Sequence, residues 1–230
     1  MKKKYIIACS KKWFIENYSK KKLKKNFVLI TKKNDLNISK ILKINPRYIF
    51  FPHWSYVIPK NIYNTYECII FHTSPLPYGR GGSPIQNLIK RNFKNSPVCA
   101  IRVEKNFDTG PIYKKYDISL NGNLDEIFKR ITLQIEKLIK FIIKNKPQPK
   151  KQRGRGKLFI RLKPKNSIIK KNEENINKIY NKIRMLDSKE YPKAFICYGK
   201  FKIYFEGAKI INNKIETRAI IQKSKISNLK

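Results

Sequence analysis

Acid is what this sequence has least of. Asp and Glu number 15 against 53 Lys and Arg, leaving a formal net charge of +38. Such an imbalance ordinarily points to nucleic acid or an anionic surface. Here lysine is spread along the whole chain among Asn, Ile, Tyr and Phe. The runs Lys20–Lys25 and Lys150–Lys157 read as solvated faces or loops rather than one recruited patch. Charge alone therefore does not decide between RNA and an anionic small substrate. Cysteine is also sparse. Cys9, Cys68, Cys99 and Cys197 are far apart and form no C-x-x-C pair, which argues against structural zinc or disulfides and for a reducing, cytoplasmic setting. Each sits in or at the end of an apolar, strand-like run, where a free thiol behaves as a small hydrophobe. No apolar run approaches a membrane span, so no membrane partner is expected. Met1–Ser10 lacks the small-residue cleavage site of a secretory leader and reads as a first strand. The absence of G-x-G-x-x-G argues against a nicotinamide cofactor. No internal repeat occurs, no metal is expected, and the two histidines are His53 and His72.

With 230 residues, 41% of them hydrophobic, the chain can bury one domain and a small appendage. Tyr5–Ser10, Phe27–Ile30 and Tyr48–Phe51 read as strands. Helices are expected over residues 11–25, where Trp13, Phe14 and Tyr18 fall at helical spacing, and over Ile38–Leu42. Alternation of this kind predicts an α/β fold, a Rossmann-like domain with a mostly parallel sheet. Leu124–Ile142 carries apolar residues at i, i+3 and i+4, a core-packing stripe. The expected domains are residues 1–145, a Pro- and Gly-interrupted linker at 146–157, and a small helix-plus-β unit at 158–230 with a Lys-rich tail. That β-rich unit would hold a strand at Leu158–Leu162 and a helix at Ile176–Leu186. Further short strands are expected at Ala194–Tyr198, Phe201–Phe205, Ala208–Ile211 and Thr217–Ile221.

The chain is organised around residues 67–111. An apolar run ends on His72, and the Pro- and Gly-dense segment Thr73–Gly82 reads as a shaped loop. Ser83-Pro84 then opens a helical pattern with Ser at N-cap and Pro at N1. A second apolar run, Val98–Val103, leads into Asn106-Phe107-Asp108-Thr109-Gly110-Pro111, and Ile112–Leu120 would pair back across that turn as a hairpin. One His and one Asp thus stand just past strand ends, at the edge where open α/β sheets bind ligands.

These residues resemble a known family. H-x-S-x-L-P from His72, Y-x-R-G-x-x-P-I-Q from Tyr78, and D-T-G-P beginning 36 positions after His72 at Asp108 are similar to the formyltransferases that use 10-formyltetrahydrofolate. The family includes methionyl-tRNA formyltransferase and the N-formyltransferases of nucleotide-linked amino sugars. V-I-P at Val57–Pro59, C-I-x-x-H at Cys68–His72 and I-R-M-L at Ile183–Leu186 fit as well. The resemblance implies that His72 and Asp108 are catalytic. It implies that His53, Trp54, Ser55, Val57 and Pro59 border the folate, and that Ser74, Leu76, Pro77, Tyr78, Arg80 and Gly81 face the acceptor. The family's catalytic Asn position is here Ile70, whose side chain neither donates nor accepts a hydrogen bond.

Each residue has a plainer reading. His72 alone could be a satisfied core histidine, Asp108 a turn residue, Arg80 a partner of the loop's own carbonyls, and Trp54 an ordinary half-buried aromatic. Formyl transfer needs an amine to attack the formyl carbon, an oxyanion to be held and a proton to be moved, and an imidazole suits that traffic near neutral pH. Loss of one oxyanion donor costs on the order of a hundred- to a thousandfold, so His53, Ser55, Thr73 or Ser74 is expected to replace what Ile70 cannot supply. The expected activity is transfer of formyl from 10-formyltetrahydrofolate to a nucleotide-linked amino sugar. Methionyl-tRNA is the alternative acceptor, disfavoured by the shortness of the C-terminal unit, and a non-catalytic ligand-binding relative is the second alternative. A homodimer is one assembly the sequence leaves open.

Overall fold

A computed structural model describes residues 4–16 and 26–224. Residues 12–16 are helical, and the rest of the helix expected to 25 lies outside the described residues, as does the Lys-rich tail from 225. Continuous β-branched and aromatic runs must be covered on both faces, and here they form a sheet interior. β1 (Tyr5–Ala8), β2 (Phe27–Ile30), β3 (Tyr48–Phe51), β4 (Cys68–Thr73), β6 (Asn95–Arg102) and β7 (Ile112–Ser119) order as β2-β1-β3-β4-β6-β7. The first four run parallel, and β6 turns back antiparallel to β4, setting His72 opposite Cys99 and Ile70 opposite Ile101. Ile6, Ile7, Ile49, Phe50 and Ile69 are fully buried. The fold is α/β with a mostly parallel central sheet.

Helix ends follow local chemistry. α1 (Ile38–Ile44) starts with the Asn37 side chain accepting the Lys40 N–H and stops at Asn45 in the left-handed region, φ 47°. α2 (Lys60–Thr65) follows Pro59. α4 (Leu124–Asn145) opens with a reciprocal box: Asn123 Oδ1 accepts from Glu126 N–H at 2.9 Å, and Glu126 Oε2 accepts from Asn123 N–H at 3.0 Å. Its apolar stripe, Leu124, Ile127, Ile131, Ile135, Leu138 and Ile142, is buried.

Four details differ from the sequence reading. Thr73–Gly82 is not all loop, because β5 (Tyr78–Gly81) pairs with β8 (Lys157–Phe159). Its glycines, at φ 84° and 94°, hide the strand from any apolar pattern. α3 (Pro84–Lys90) does begin at Pro84, but Ser83 sits at φ 49° and makes no side-chain cap. Its hydroxyl accepts the Leu162 N–H at 3.1 Å instead. Phe201–Phe205 and Ala208–Ile211 are one strand, β10 (Phe201–Ile211), with an irregularity at Gly207, whose N–H donates to Asp187 at 2.8 Å. Cys197 is exposed, whereas Cys9, Cys68 and Cys99 are buried, and all four are free.

The chain divides into two compact units: Met1–Gly81 with Pro97–Asp117 and Ile131–Leu158, and Gly82–Ser96 with Ile118–Arg130 and Phe159–Lys230. The second contains α5 (Ile176–Arg184) and the antiparallel sheet β11 (Lys214–Lys223), β10, β9 (Ala194–Tyr198). Within the first, Ile112 and Lys150 exchange both backbone hydrogen bonds, at 2.8 and 2.9 Å. Among the described residues no helix is long and apolar enough to cross a membrane.

Ile49 lies at the centre of the sheet with no exposed surface, so Ile49→Ala is expected to lower the unfolding free energy by about 2–5 kcal/mol, read from urea denaturation.

Candidate active site

β4 carries the first candidate side chain, inside the strand rather than past its end. Alternation along the strand puts Ile70 and His72 on one face and Thr73 on the other. Ile70 is half-buried and packs against the cluster of Ile6, Ile49, Phe51 and Ile62, so the position without a polar group is anchored in the core. His72 is 7% exposed. Its Nε2 lies 2.7 Å from the Gly79 carbonyl, which can only accept, so Nε2 carries the proton. Its Nδ1 faces Asp108 Oδ2 at 3.4 Å. In the neutral ring Nδ1 therefore holds the lone pair. A second proton taken up there would lie between the ring and the Asp108 carboxylate.

Asp108 arrives from the turn after β6. Its backbone is left-handed, φ 56°, a region that Asp and Asn tolerate better than most residues. Oδ2 accepts the Gly81 N–H at 2.9 Å while facing His72. Two features hold this turn. A Cβ at Gly110 would stand 1.8 Å from the Arg102 carbonyl, so only glycine fits there. The second is Gln152, which the sequence reading did not single out. Its Nε2 donates to the carbonyls of Asp108 and Gly110, both at 2.8 Å, and its Oε1 accepts from Arg80 Nε at 3.1 Å and Nη2 at 2.7 Å. One neutral amide thus ties together the Asp108 turn and the Arg80 strand. Gln152 lies in a basic, Gly-rich segment with no periodicity, so no local pattern could have flagged it.

The other expected site residues are placed as follows. Ser74 is fully buried, and its hydroxyl has no partner among the described residues. Leu76 is half-buried and Pro77 buried, with the Pro77 carbonyl accepting the Lys157 N–H at 3.3 Å. The Lys157 ammonium stands 5.7 Å over the Tyr78 ring. Trp54 is half-buried against the core cluster, with edge-on contacts to Phe51 at 6.1 Å and Tyr56 at 5.2 Å. Its buried Nε1 has no partner among the described residues. Ser55 is exposed and joined to Ser10, Val57 is 73% exposed, and Pro59 precedes α2. His53, at φ 49°, packs its ring on Trp13 at 4.8 Å and Phe14 at 5.3 Å. Burial, and then the Lys11 charge, lower its pKa to about 4, so the ring is neutral near pH 7. Among the described residues no group of three or more His, Cys, Asp or Glu could hold a metal ion.

Two family models match. Residues 12–140 match the formyl transferase model, and residues 164–222 match the C-terminal domain of methionyl-tRNA formyltransferase. The chain belongs to the formyl transferase family. Methionyl-tRNA formyltransferase from Campylobacter jejuni strain 81-176 is 30% identical over 171 residues, 73% of this chain and 55% of the relative. The chain thus spans about half the length of that relative. A solved methionyl-tRNA formyltransferase from Clostridium thermocellum is 42% identical, with TM-score 0.90, over 96% of this chain and 100% of that one. A 4-N formyltransferase from Francisella tularensis shares the fold at 16% identity and TM-score 0.66, over 97% and 99% of the two chains.

Two outcomes follow from the geometry. Gln152→Ala is expected to release the Asp108 turn, read as faster hydrogen exchange of the Gly81 amide, with the fold retained by circular dichroism. His53 binds its proton more tightly in the unfolded chain, near pH 6.5, than in the folded one, near 4. Its contribution to stability is therefore complete above about pH 6.5 and falls as pH drops from there towards 4. Subtracting the stability profile of His53→Asn from that of wild type cancels the carboxylates common to both and should leave that slope.

Proposed function

We propose that this protein moves the formyl group of 10-formyltetrahydrofolate to the α-amino group of methionyl-tRNA. The observation that carries the reading is the match of residues 164–222 to the C-terminal domain of methionyl-tRNA formyltransferase. The 42% identical Clostridium thermocellum structure, covered over its whole length, supports it. Coverage of that structure over its whole length supports the tRNA acceptor over the sugar acceptor that the sequence reading favoured. The sugar N-formyltransferases among the solved neighbours, at 14% identity, support the shared fold alone. The charge of +38 suits a polyanionic acceptor.

The residues present fit a folate donor. Trp54 keeps a buried indole N–H and Ser74 a buried hydroxyl with no partner among the described residues, and the exposed Val57 offers an apolar edge. When bound, 10-formyltetrahydrofolate supplies an activated formyl carbon. His72 takes the proton leaving the amine at Nδ1, because Nε2 is already committed to Gly79, and passes it to the folate nitrogen, which keeps the electron pair of the broken C–N bond. Asp108 steadies the imidazolium so formed. The Ser74 hydroxyl is the donor in the place of the side chain that Ile70 lacks. The intact His72–Asp108 pair favours this reading over a non-catalytic relative, and Gly81 with Gln152 keeps Asp108 in register.

The test is tetrahydrofolate release with methionyl initiator tRNA in one reaction and pooled nucleotide-linked amino sugars in another. Release is expected with the tRNA, weakening steeply as salt is raised. His72→Ala should cut kcat/KM by about 10²–10⁴, and Ser74→Ala by about 10²–10³. Turnover with the sugars and not the tRNA would contradict the proposed acceptor.

A further inference from the structure

The second compact unit holds a cavity of about 450 Å³ between α3, the residues after β8, and α5. Its walls carry Lys90, Lys165, Lys170, Lys178 and Lys182 with a single acid, Glu173. Leu162, Ile169, Ile179 and Met185 supply an apolar lining, with Ile169 and Met185 buried. Glu173 stands 3.7 Å from Lys178 and so answers one of the five ammoniums. Lys182 is half-buried and donates to the Asn166 carbonyl at 2.7 Å, a neutral partner. Burial and then the Lys90 charge lower its pKa, with Glu173 opposing and Lys170 adding to the effect. These cations are crowded into a concavity without matching counter-charge, an arrangement that raises local positive potential and is relieved by an anion.

The shape narrows the anion. Lysines converging on a pocket can neutralise one compact, doubly charged group, whereas a phosphodiester backbone is followed by a stripe of cations. Inorganic phosphate would leave the apolar lining empty. The volume lies within the range of small-molecule sites. We propose that this cavity binds a nucleoside 5′-phosphate, its phosphomonoester among Lys90, Lys170 and Lys182 and its uncharged body on Ile169, Ile179 and Met185. The same chemistry has two sources, a free mononucleotide or the 5′-phosphorylated end of an RNA. The site is separate from His72 and Asp108, and the proposal does not depend on formyl transfer.

Adenosine 5′-monophosphate, adenosine and inorganic phosphate would each be titrated calorimetrically into the full chain at low salt. A second arm would compare 5′-phosphorylated and 5′-hydroxyl forms of a short RNA hairpin. Saturable binding of the nucleotide is expected, at least tenfold tighter than either fragment. Lys182→Met, which keeps the apolar stem, should weaken it at least tenfold, and Lys182→Arg should restore most of it. The surface variant Lys90→Met serves the same purpose with less risk to folding. If the mononucleotide fails to bind but the RNA shows a 5′-phosphate preference that Lys182→Met abolishes, the site is assigned to an RNA end. Absence of saturable binding in both arms, or binding unchanged in both Lys→Met variants, would overturn the proposal.

Discussion

The contact between Asp108 and His72 is the constraint on which the first unit's functional geometry depends. An imidazole whose Nε2 is tied to the Gly79 carbonyl has one nitrogen left for chemistry, and that nitrogen looks at a carboxylate. The carboxylate can be there only because the turn after β6 is left-handed at Asp108 and lacks a Cβ at Gly110, where one would overlap the Arg102 carbonyl. The Gly81 N–H and the Gln152 amide then fix where its oxygens and backbone point. Strand pairing supplies the coarse placement, and three or four polar contacts supply the final one. Because the amide of Gln152 is neutral, it organises Arg80 and Asp108 without adding a competing charge beside the imidazole.

Much of this was legible in the sequence for a physical reason. The strands Phe27–Ile30, Tyr48–Phe51 and Ala194–Tyr198 are short runs bounded by turn residues, and the stripe of Leu124–Ile142 repeats over several turns. His72 and Asp108 could be singled out because glycine- and proline-rich turns mark strand ends. What was hidden depends on distant partners. The strand Tyr78–Gly81 has no apolar alternation and is defined by its pairing with Lys157–Phe159. Ser83 looked like an N-cap, and its hydroxyl went to Leu162. Gln152 sits among Lys, Arg and Gly, where composition speaks only of a solvated linker. The lysines of the second unit's cavity are up to ninety-odd positions apart in sequence and converge only on folding.

Composition was a weak guide to the acceptor. Lysine spread evenly along a chain does not separate a protein that binds RNA from one whose composition has drifted, and a net charge cannot name an amine. The proposed acceptor rests instead on similarity along residues 164–222, a part of the chain that carries none of the 67–111 motifs. Ile70 remains the chain's departure from the family pattern, and its packing against Ile6 and Phe51 shows how the strand accepts it. The buried hydroxyl of Ser74, without a partner among the described residues, lies four residues further on.

In the neutral His72 ring the geometry puts the proton on Nε2, against the Gly79 carbonyl, and the lone pair on Nδ1, facing Asp108. With two histidines in the chain, ¹⁵N spectroscopy of the imidazoles, assigned with His53→Asn, tests this directly. The expected result is a neutral His72 ring protonated at Nε2 with Nδ1 bare. A neutral ring protonated at Nδ1 would contradict it.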